Sequence, residues 1–203
     1  MRSPERRARR IEADRADLIA AAERVFARVG YTAASVRDIA REANFSVGGV
    51  YKLVESKDDL YVAVIARVWA EYQAALAPAL AAGGFEDRLR GVTRTWLAFF
   101  AARRAFMSVL MSEKASWTPA FHERVDRLVQ KHRRARRRQI VELMTQGITE
   151  RRIRFRDADM LASAYLGLVS QCNLDALSDT KRRQPNPDDL VSLFMNGACT
   201  PAA

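Results

Sequence analysis

Ser35-Val36-Arg37-Asp38-Ile39-Ala40-Arg41-Glu42-Ala43-Asn44-Phe45-Ser46-Val47-Gly48-Gly49-Val50-Tyr51 is the stretch whose reading decides the fold. Ser35, with Asp38 three residues on, is a capping-box-like start for a short helix through Ala43. Ser46 opens a second short helix ending near Leu53. Two short helices that cross steeply need a small residue at the crossing, and Ala40 supplies it. The turn between them needs a residue that tolerates positive φ, which Asn44 does better than most side chains. Val50 can then lock the second helix against the first. These are the steric requirements of a helix-turn-helix, whose second helix enters the major groove of DNA. Two packed helices of another kind could meet them too.

Outward from this core, helical periodicity dominates and strand alternation is nearly absent. Leu18, Ala22, Val25 and Val29 share the face of a helix that Gly30 stops. Ser56 with Asp59 starts a long fourth helix, expected to run to about Leu76, before Pro78. After Gly83-Gly84 a fifth carries Leu89, Val92, Trp96, Phe99 and Phe100 on one stripe. A short sixth follows from Phe106 to Glu113, and Thr118-Pro119 begins a seventh reaching about residue 149. An eighth spans about Asp157 to Leu177, and Pro185 and Pro187 precede a last helix at Asp188–Asn196. The expected fold is all-α: three short N-terminal helices, a connecting helix and a larger helical body, about nine helices. The expected domains are residues 1–60, an N-terminal arm with the helix-turn-helix, and residues 61–203, the body.

Composition narrows the class. The 203 residues are 49% hydrophobic and 29% charged, which reads as soluble and globular. No apolar run approaches the ~20 residues that cross a bilayer, and the first residues lack the apolar core of a signal peptide. A cytoplasmic location with no membrane partner is the expectation. The net charge of +10 favours a polyanionic partner. However, residues 1–60 hold 12 Lys and Arg against 10 Asp and Glu, whereas residues 124–156 hold 12 against 3. Charge alone therefore does not locate a DNA site. Cys172 and Cys199 have no metal-ligand spacing around them and read as two reduced thiols. His122 and His132 lie about 280° apart around a helix and cannot share a ligand. With no glycine-rich phosphate loop and no nucleophile elbow, neither an enzyme nor a cofactor is expected.

Leu18-Ile19-x-Ala21-Ala22-x3-Phe26-x3-Gly30-Tyr31, Val36-x-Asp38-Ile39-Ala40, Ser46-x-Gly48-x-Val50-Tyr51 and Ser56-Lys57-x2-Leu60 together closely resemble the DNA-binding domain of the TetR family of transcription regulators. The resemblance covers about residues 15–65. It departs from the family pattern at Asn44, where glycine is usual, and at Leu53-Val54, where an aromatic residue or His and then Phe are usual. Gly49 replaces a small Thr, Ala or Ser. Two adjacent glycines cost about 1 kcal/mol each inside a helix, unless close approach to DNA offsets that cost.

The resemblance implies roles residue by residue. Ser35 would cap the second helix at a phosphate, and Arg37 could fork onto guanine or onto phosphate. Val47, Gly48 and Gly49, just after Ser46, would face base edges, and Tyr51, Lys52 and Lys57 would reach phosphates. The Arg2, Arg6, Arg7, Arg9 and Arg10 arm is either a loose tail or a groove-tracking extension.

In the body, Leu166, Val169 and Leu177 of helix eight and Leu190 and Phe194 of the last helix look like the family's two-helix dimer surface. A monomeric core is the other reading of the same residues. Trp69, Tyr72, Trp96, Phe100, Phe106, Met111, Phe121 and Tyr165 would line an inducer pocket, although each is also ordinary core material. His132 and Arg136 interrupt the apolar stripe of Val125, Val129, Ile140 and Leu143. They either pair with carboxylates, leave the core, or form a cationic corner for an aromatic or fatty anion. The expected protein is a ligand-responsive repressor that binds near-palindromic operator DNA as a homodimer. A non-specific nucleic-acid binder using residues 124–156 is the alternative.

Overall fold

The computed structural model describes residues 4–113, 117–178 and 183–198. Among these the chain forms nine helices: α1 Pro4–Ala33, α2 Val36–Glu42, α3 Val47–Tyr51, α4 Lys57–Ala81, α5 Phe85–Ala102, α6 Arg104–Ser112, α7 Pro119–Thr149, α8 Ala158–Ser178 and α9 Pro187–Ala198. The fold is all-α, with an N-terminal helix-turn-helix bundle and a larger helical C-terminal domain.

Two compact units emerge from the packing. Residues 1–70 join residues 105–128 in the first, and residues 71–104 join residues 129–203 in the second. Thus α6 and the start of α7 pack with the N-terminal helices.

In the first unit Leu18, Ala21, Ala22, Val25 and Phe26 of α1 are fully buried with Ile39, Val50, Leu60, Tyr61 and Val64. Gly30, at φ 82° and ψ 169°, breaks the helical path of α1, and one more turn follows it. Of the Arg-rich arm, Arg6, Arg7, Arg9 and Arg10 lie in α1 and are exposed, and Arg2 lies outside the described residues.

In the second unit the core is built from Tyr72, Leu76, Phe85, Leu89, Val92, Ile140, Met144, Tyr165 and Val169. Helix α5 packs on both α8 and α9. Buried Thr93 donates its hydroxyl to the Leu89 carbonyl at 2.7 Å, while its oxygen lies 2.8 Å from the Tyr165 hydroxyl, so both polar groups are satisfied.

Two elements differ from expectation: α1, expected to be short, runs 30 residues from Pro4 to Ala33, and α4 passes its expected end. Pro78 lies inside α4, which continues to Ala81. The proline removes only one amide so near the helix end, where three more residues complete the last turn. Cys172 is a free, half-buried thiol, and Cys199 lies outside the described residues.

Gly147 sets a tight contact at the end of α7. A Cβ there would lie 2.8 Å from Ile153 Cδ1 and 2.8 Å from Phe85 Cε2. Gly147→Ala should therefore destabilise the protein by about 1–3 kcal/mol through overpacking, measured as a lower urea midpoint at unchanged m-value.

Candidate functional site

Helix α3 has only five residues, too few to form alone, so neighbouring groups must hold it. Ser46 caps it, its Oγ accepting from Gly49 N at 3.0 Å, and fully buried Val50 anchors it. Asn44 sits at φ 58° in the turn, and Phe45 N donates to Ala40 O at 2.8 Å. Upstream, Ser35 Oγ caps α2 by accepting from Asp38 N at 3.1 Å. Ile39 and Ala40 face inward at the crossing. The helices thus meet as the turn chemistry demands.

Outward lies a face built from the same segment. Ser35, Arg37, Ser46, Val47, Gly48, Tyr51 and Lys52 are exposed, Gly49 is half-buried, and Tyr51 is 54% exposed. Among the described residues no hydrogen bond or ion pair engages the side chain of Arg37 or Lys52, whereas neighbouring cations are committed. Arg41 pairs with Asp38 at 2.7 Å, and Arg24 with Glu42 at 2.8 Å. Hydrogen bonds from Ser35 and Arg24 respectively are the main reason that Asp38 and Glu42 titrate below the usual carboxylate range.

Gly48 is unusual in this setting. It needs no positive φ, and a Cβ there would meet nothing within 4 Å. Neither turn geometry nor packing requires a glycine. The fold pays about 0.8–1 kcal/mol relative to alanine, which is explained if another molecule's surface comes close to the backbone there.

Lys57 is placed differently from its neighbours. Its Nζ donates to Tyr31 O at 2.9 Å and Ala34 O at 3.0 Å, and it lies 4.4 Å from the centre of the Tyr31 ring. The family pattern assigned Lys57 to phosphate, but two of its three N–H groups serve the fold.

The expected pocket residues are divided between the two units. Phe106 and Phe121 belong to the first unit, each about 6 Å from the Tyr61 ring, with Phe121 stacked on Tyr31 at 4.8 Å. Trp69 is buried in that unit and Met111 is 45% exposed.

The second unit gathers Tyr72, Trp96, Phe100, Arg136 and Tyr165. The Arg136 guanidinium lies 3.9 Å over the Trp96 ring, Trp96 is 6.3 Å from Phe100, and Phe100 is 5.4 Å from Tyr72. Among the described residues no carboxylate pairs with Arg136, and its Nε is buried without an acceptor. Burial pushes its guanidinium down to about 10, against the opposing pull of the Tyr72 phenol. Burial raises Tyr72 to about 12, with Arg136 opposing. Burial, with Lys131 adding to it, lowers His132 below the ordinary imidazole value. A cavity of about 160 Å³ in the same unit is lined by Leu80, Arg88, Gln139, Glu142, Leu143 and Gln146, a different set of residues.

On α8 and α9, Val169 and Leu190 are buried within the chain, Leu166 and Phe194 are half-buried, and the Leu177 side chain lies outside the described residues. Leu193, also on the last helix, is 64% exposed. Sequence reasoning missed Glu113, which meets Tyr31 across 82 residues of chain with no local signal.

A buried helix-turn-helix core with an outward face of unengaged cations, an exposed tyrosine and an unforced glycine defines a DNA-binding transcription regulator. The chain belongs to the TetR family: residues 18–64 match the family described as bacterial regulatory proteins, tetR family, and residues 82–173 match the tetracyclin repressor-like C-terminal domain. No curated protein sequence matches the chain.

Solved structures share its fold. A TetR transcription regulator from Haloarcula marismortui superposes with a TM-score of 0.79 at 18% identity, covering 93% of this chain and 100% of that one. A TetR-family regulator from Agrobacterium tumefaciens gives 0.75 at 18%, covering 94% and 100%. The ketosteroid transcriptional regulator KstR2 of Mycobacterium tuberculosis gives 0.66 at 18%, covering 92% and 95%. Among the described residues no helix is long and apolar enough to cross a membrane, and no group of three His, Cys, Asp or Glu could hold a metal.

Gly48→Ala separates the two demands on α3. It should raise the thermal midpoint, as removal of about 0.8–1 kcal/mol of helix penalty implies, while weakening DNA binding. A thermal melt and a fluorescence-anisotropy titration on the same preparation read both.

Proposed function

We propose that this chain is a ligand-responsive repressor that binds a near-palindromic operator as a homodimer, with α3 in the major groove. The observation that carries this reading is the exposed set Arg37, Val47, Gly48, Tyr51 and Lys52 on one face of the helix-turn-helix. In this reading Ser35, Ser46 and Gly49 frame the phosphate-facing ends of α2 and α3, and Arg37 forks onto a base or a phosphate. Lys57 contributes through the turn it holds. Two recognition helices related by a twofold read half-sites about 34–36 Å apart.

The proposed dimer surface is the outer face of α8 and α9. Met160, Ser163, Ala164 and Gly167 lie exposed along α8, and Leu193 projects from α9, beside half-buried Leu166 and Phe194. Exposed apolar side chains on adjacent helices fit a four-helix interface.

The proposed inducer is a small aromatic or fatty anion. Its carboxylate would supply the acceptor that Arg136 lacks, and its apolar part would lie among Trp96, Phe100 and Tyr72. A buried cation without a counter-ion is expensive, so an anion gains more there than in water.

Selection from random duplex DNA should return an enriched palindrome; a library with no enriched sequence would overturn the operator reading and favour sequence-independent binding through residues 124–156. Arg37→Ala should cost about 1–3 kcal/mol on the selected site and relax its preference at one position.

Leu193→Asp and Leu166→Asp should halve the mass in light scattering and weaken operator binding. Unchanged mass for both would place the dimer surface elsewhere.

Benzoate, 1-naphthoate and decanoate should release the operator, and their neutral amides should fail. Hundredfold release corresponds to about 2.7 kcal/mol of coupling. Arg136→Met should abolish the response at unchanged ligand-free DNA affinity.

A further inference from the structure

The turn that follows Gly30 is capped from outside at both ends. Because Gly30 leaves the helical path, Tyr31 and Thr32 start a new turn whose first amides have no acceptor behind them. Glu113, at the C-terminal end of α6, fills that role through space: its Oε2 accepts from Tyr31 N at 2.6 Å and from Thr32 N at 3.4 Å. At the other end of the turn, Lys57 takes the carbonyls of Tyr31 and Ala34. The Tyr31 hydroxyl donates to Asp58, and its ring lies against Phe121. The chain passes from this turn directly into Ser35, the cap of α2.

The placement of Glu113 is not what α6 alone would choose. An acid at a helix C-terminus faces the negative end of the helix dipole, and Glu113 N closes the last turn of α6 onto Val109 O at 3.1 Å. Its carboxylate also adds to the burial that pushes the neighbouring Tyr61 hydroxyl up. The end of α6 offers this carboxylate no donor of its own, and the amides of residues 31 and 32 supply two. Gly30 is matched to the same contact, because any Cβ there would overlap the Glu113 carboxylate, besides being strained at φ 82°.

We infer that Glu113 is a positioning residue for DNA reading: its carboxylate fixes the α1–α2 corner to α6, and so sets the angle at which α2 and α3 meet the duplex. Glu113 touches no DNA in this scheme. The inference rests on the operator reading above, and the corner itself can be tested without DNA.

The sign of the effect distinguishes positioning from simple electrostatics. Removing an acid from a DNA-binding unit should, by charge alone, tighten binding. Loss of a positioning bond should weaken it. Glu113→Gln keeps the size of the side chain and removes its charge; Glu113→Asp keeps the charge and shortens the reach. Both should bind the selected operator at least tenfold more weakly than wild type, with the slope of log affinity against log salt unchanged. In the free protein the Tyr31 and Thr32 amides should exchange at least tenfold faster, while α5, α8 and α9 amides keep their protection. Gly30→Ala, which drives the carboxylate off sterically, should reproduce both effects if Glu113→Gln proves too unstable to purify.

Operator binding within twofold of wild type, or tighter, overturns the inference, as does unchanged exchange at residues 31 and 32. Should the wild-type protein select no operator, the operator reading fails on its own. The exchange measurement then still decides whether Glu113 holds the corner.

Discussion

A five-residue helix containing two glycines has no stability of its own, and everything the first unit does follows from holding α3 in place. The restraint comes from three sides. Val50 is sunk in the core, Ser46 ties the first turn, and the positive φ of Asn44 brings the chain round sharply enough for Phe45 N to reach back to Ala40. Helix α2 in turn depends on the turn at residues 31–34, which Glu113 and Lys57 secure from α6 and α4. The outer face of α3 contributes nothing to this restraint. It is therefore free to carry Val47, Gly48 and Tyr51, residues that a self-supporting helix would not choose at exposed positions.

Most of this restraint was legible in the sequence because it is local. Ser35, Ser46 and Ser56 lie three residues before the amides they cap, and a capping side chain reaches only that far. Gly30 and Asn44 were readable because left-handed backbone strongly limits residue choice. Pro78 was misread as an end because its penalty depends on how much helix remains beyond it, which no local rule states. Glu113 was invisible, since a carboxylate 82 residues away leaves no periodic trace. Lys57 shows what a pattern does not state: its amine faces the carbonyls of the preceding turn. Similarly, a helix that is apolar on two faces does not say which face meets its own chain. Val169 and Leu190 turn inward, and Leu193 points out.

Arg136 poses a different energetic problem. Desolvating a guanidinium is costly, and an aromatic face offsets only part of that cost. A carboxylate on a neighbouring helix would have been the stable solution, and this chain forms such pairs elsewhere, as between Arg137 and Asp159 one residue further along α7. At Arg136 the surrounding groups are instead Trp96 and two phenols, both raised by burial and therefore neutral. Phenols can donate hydrogen bonds to an anion but cannot neutralise a cation. In the proposed reading a visiting carboxylate supplies the missing counter-charge, and its binding would stabilise whichever body conformation closes round it.

Charge gave a poor map of the proposed DNA-reading face because formal counts ignore which acids are already engaged. The first sixty residues are nearly balanced, yet the acids beside the helix-turn-helix are engaged by partners within the protein. Asp38 is bound by Ser35 and Arg41, Glu42 by Arg24 and Arg28, Asp58 by Tyr31, and Asp59 by Ser56 and Arg124. Each carboxylate that also caps a helix or anchors a turn is fixed in direction, so its field falls mainly on the partner it binds. Arg37 and Lys52 have no such counterweight and stand exposed. A phosphate approaching that face meets two unshielded cations rather than the sum over sixty residues. The stronger excess in residues 124–156 is in turn partly spent on Asp59, Glu123, Asp159 and Glu86. The direction and engagement of charges, more than their number, decide which surface a polyanion meets.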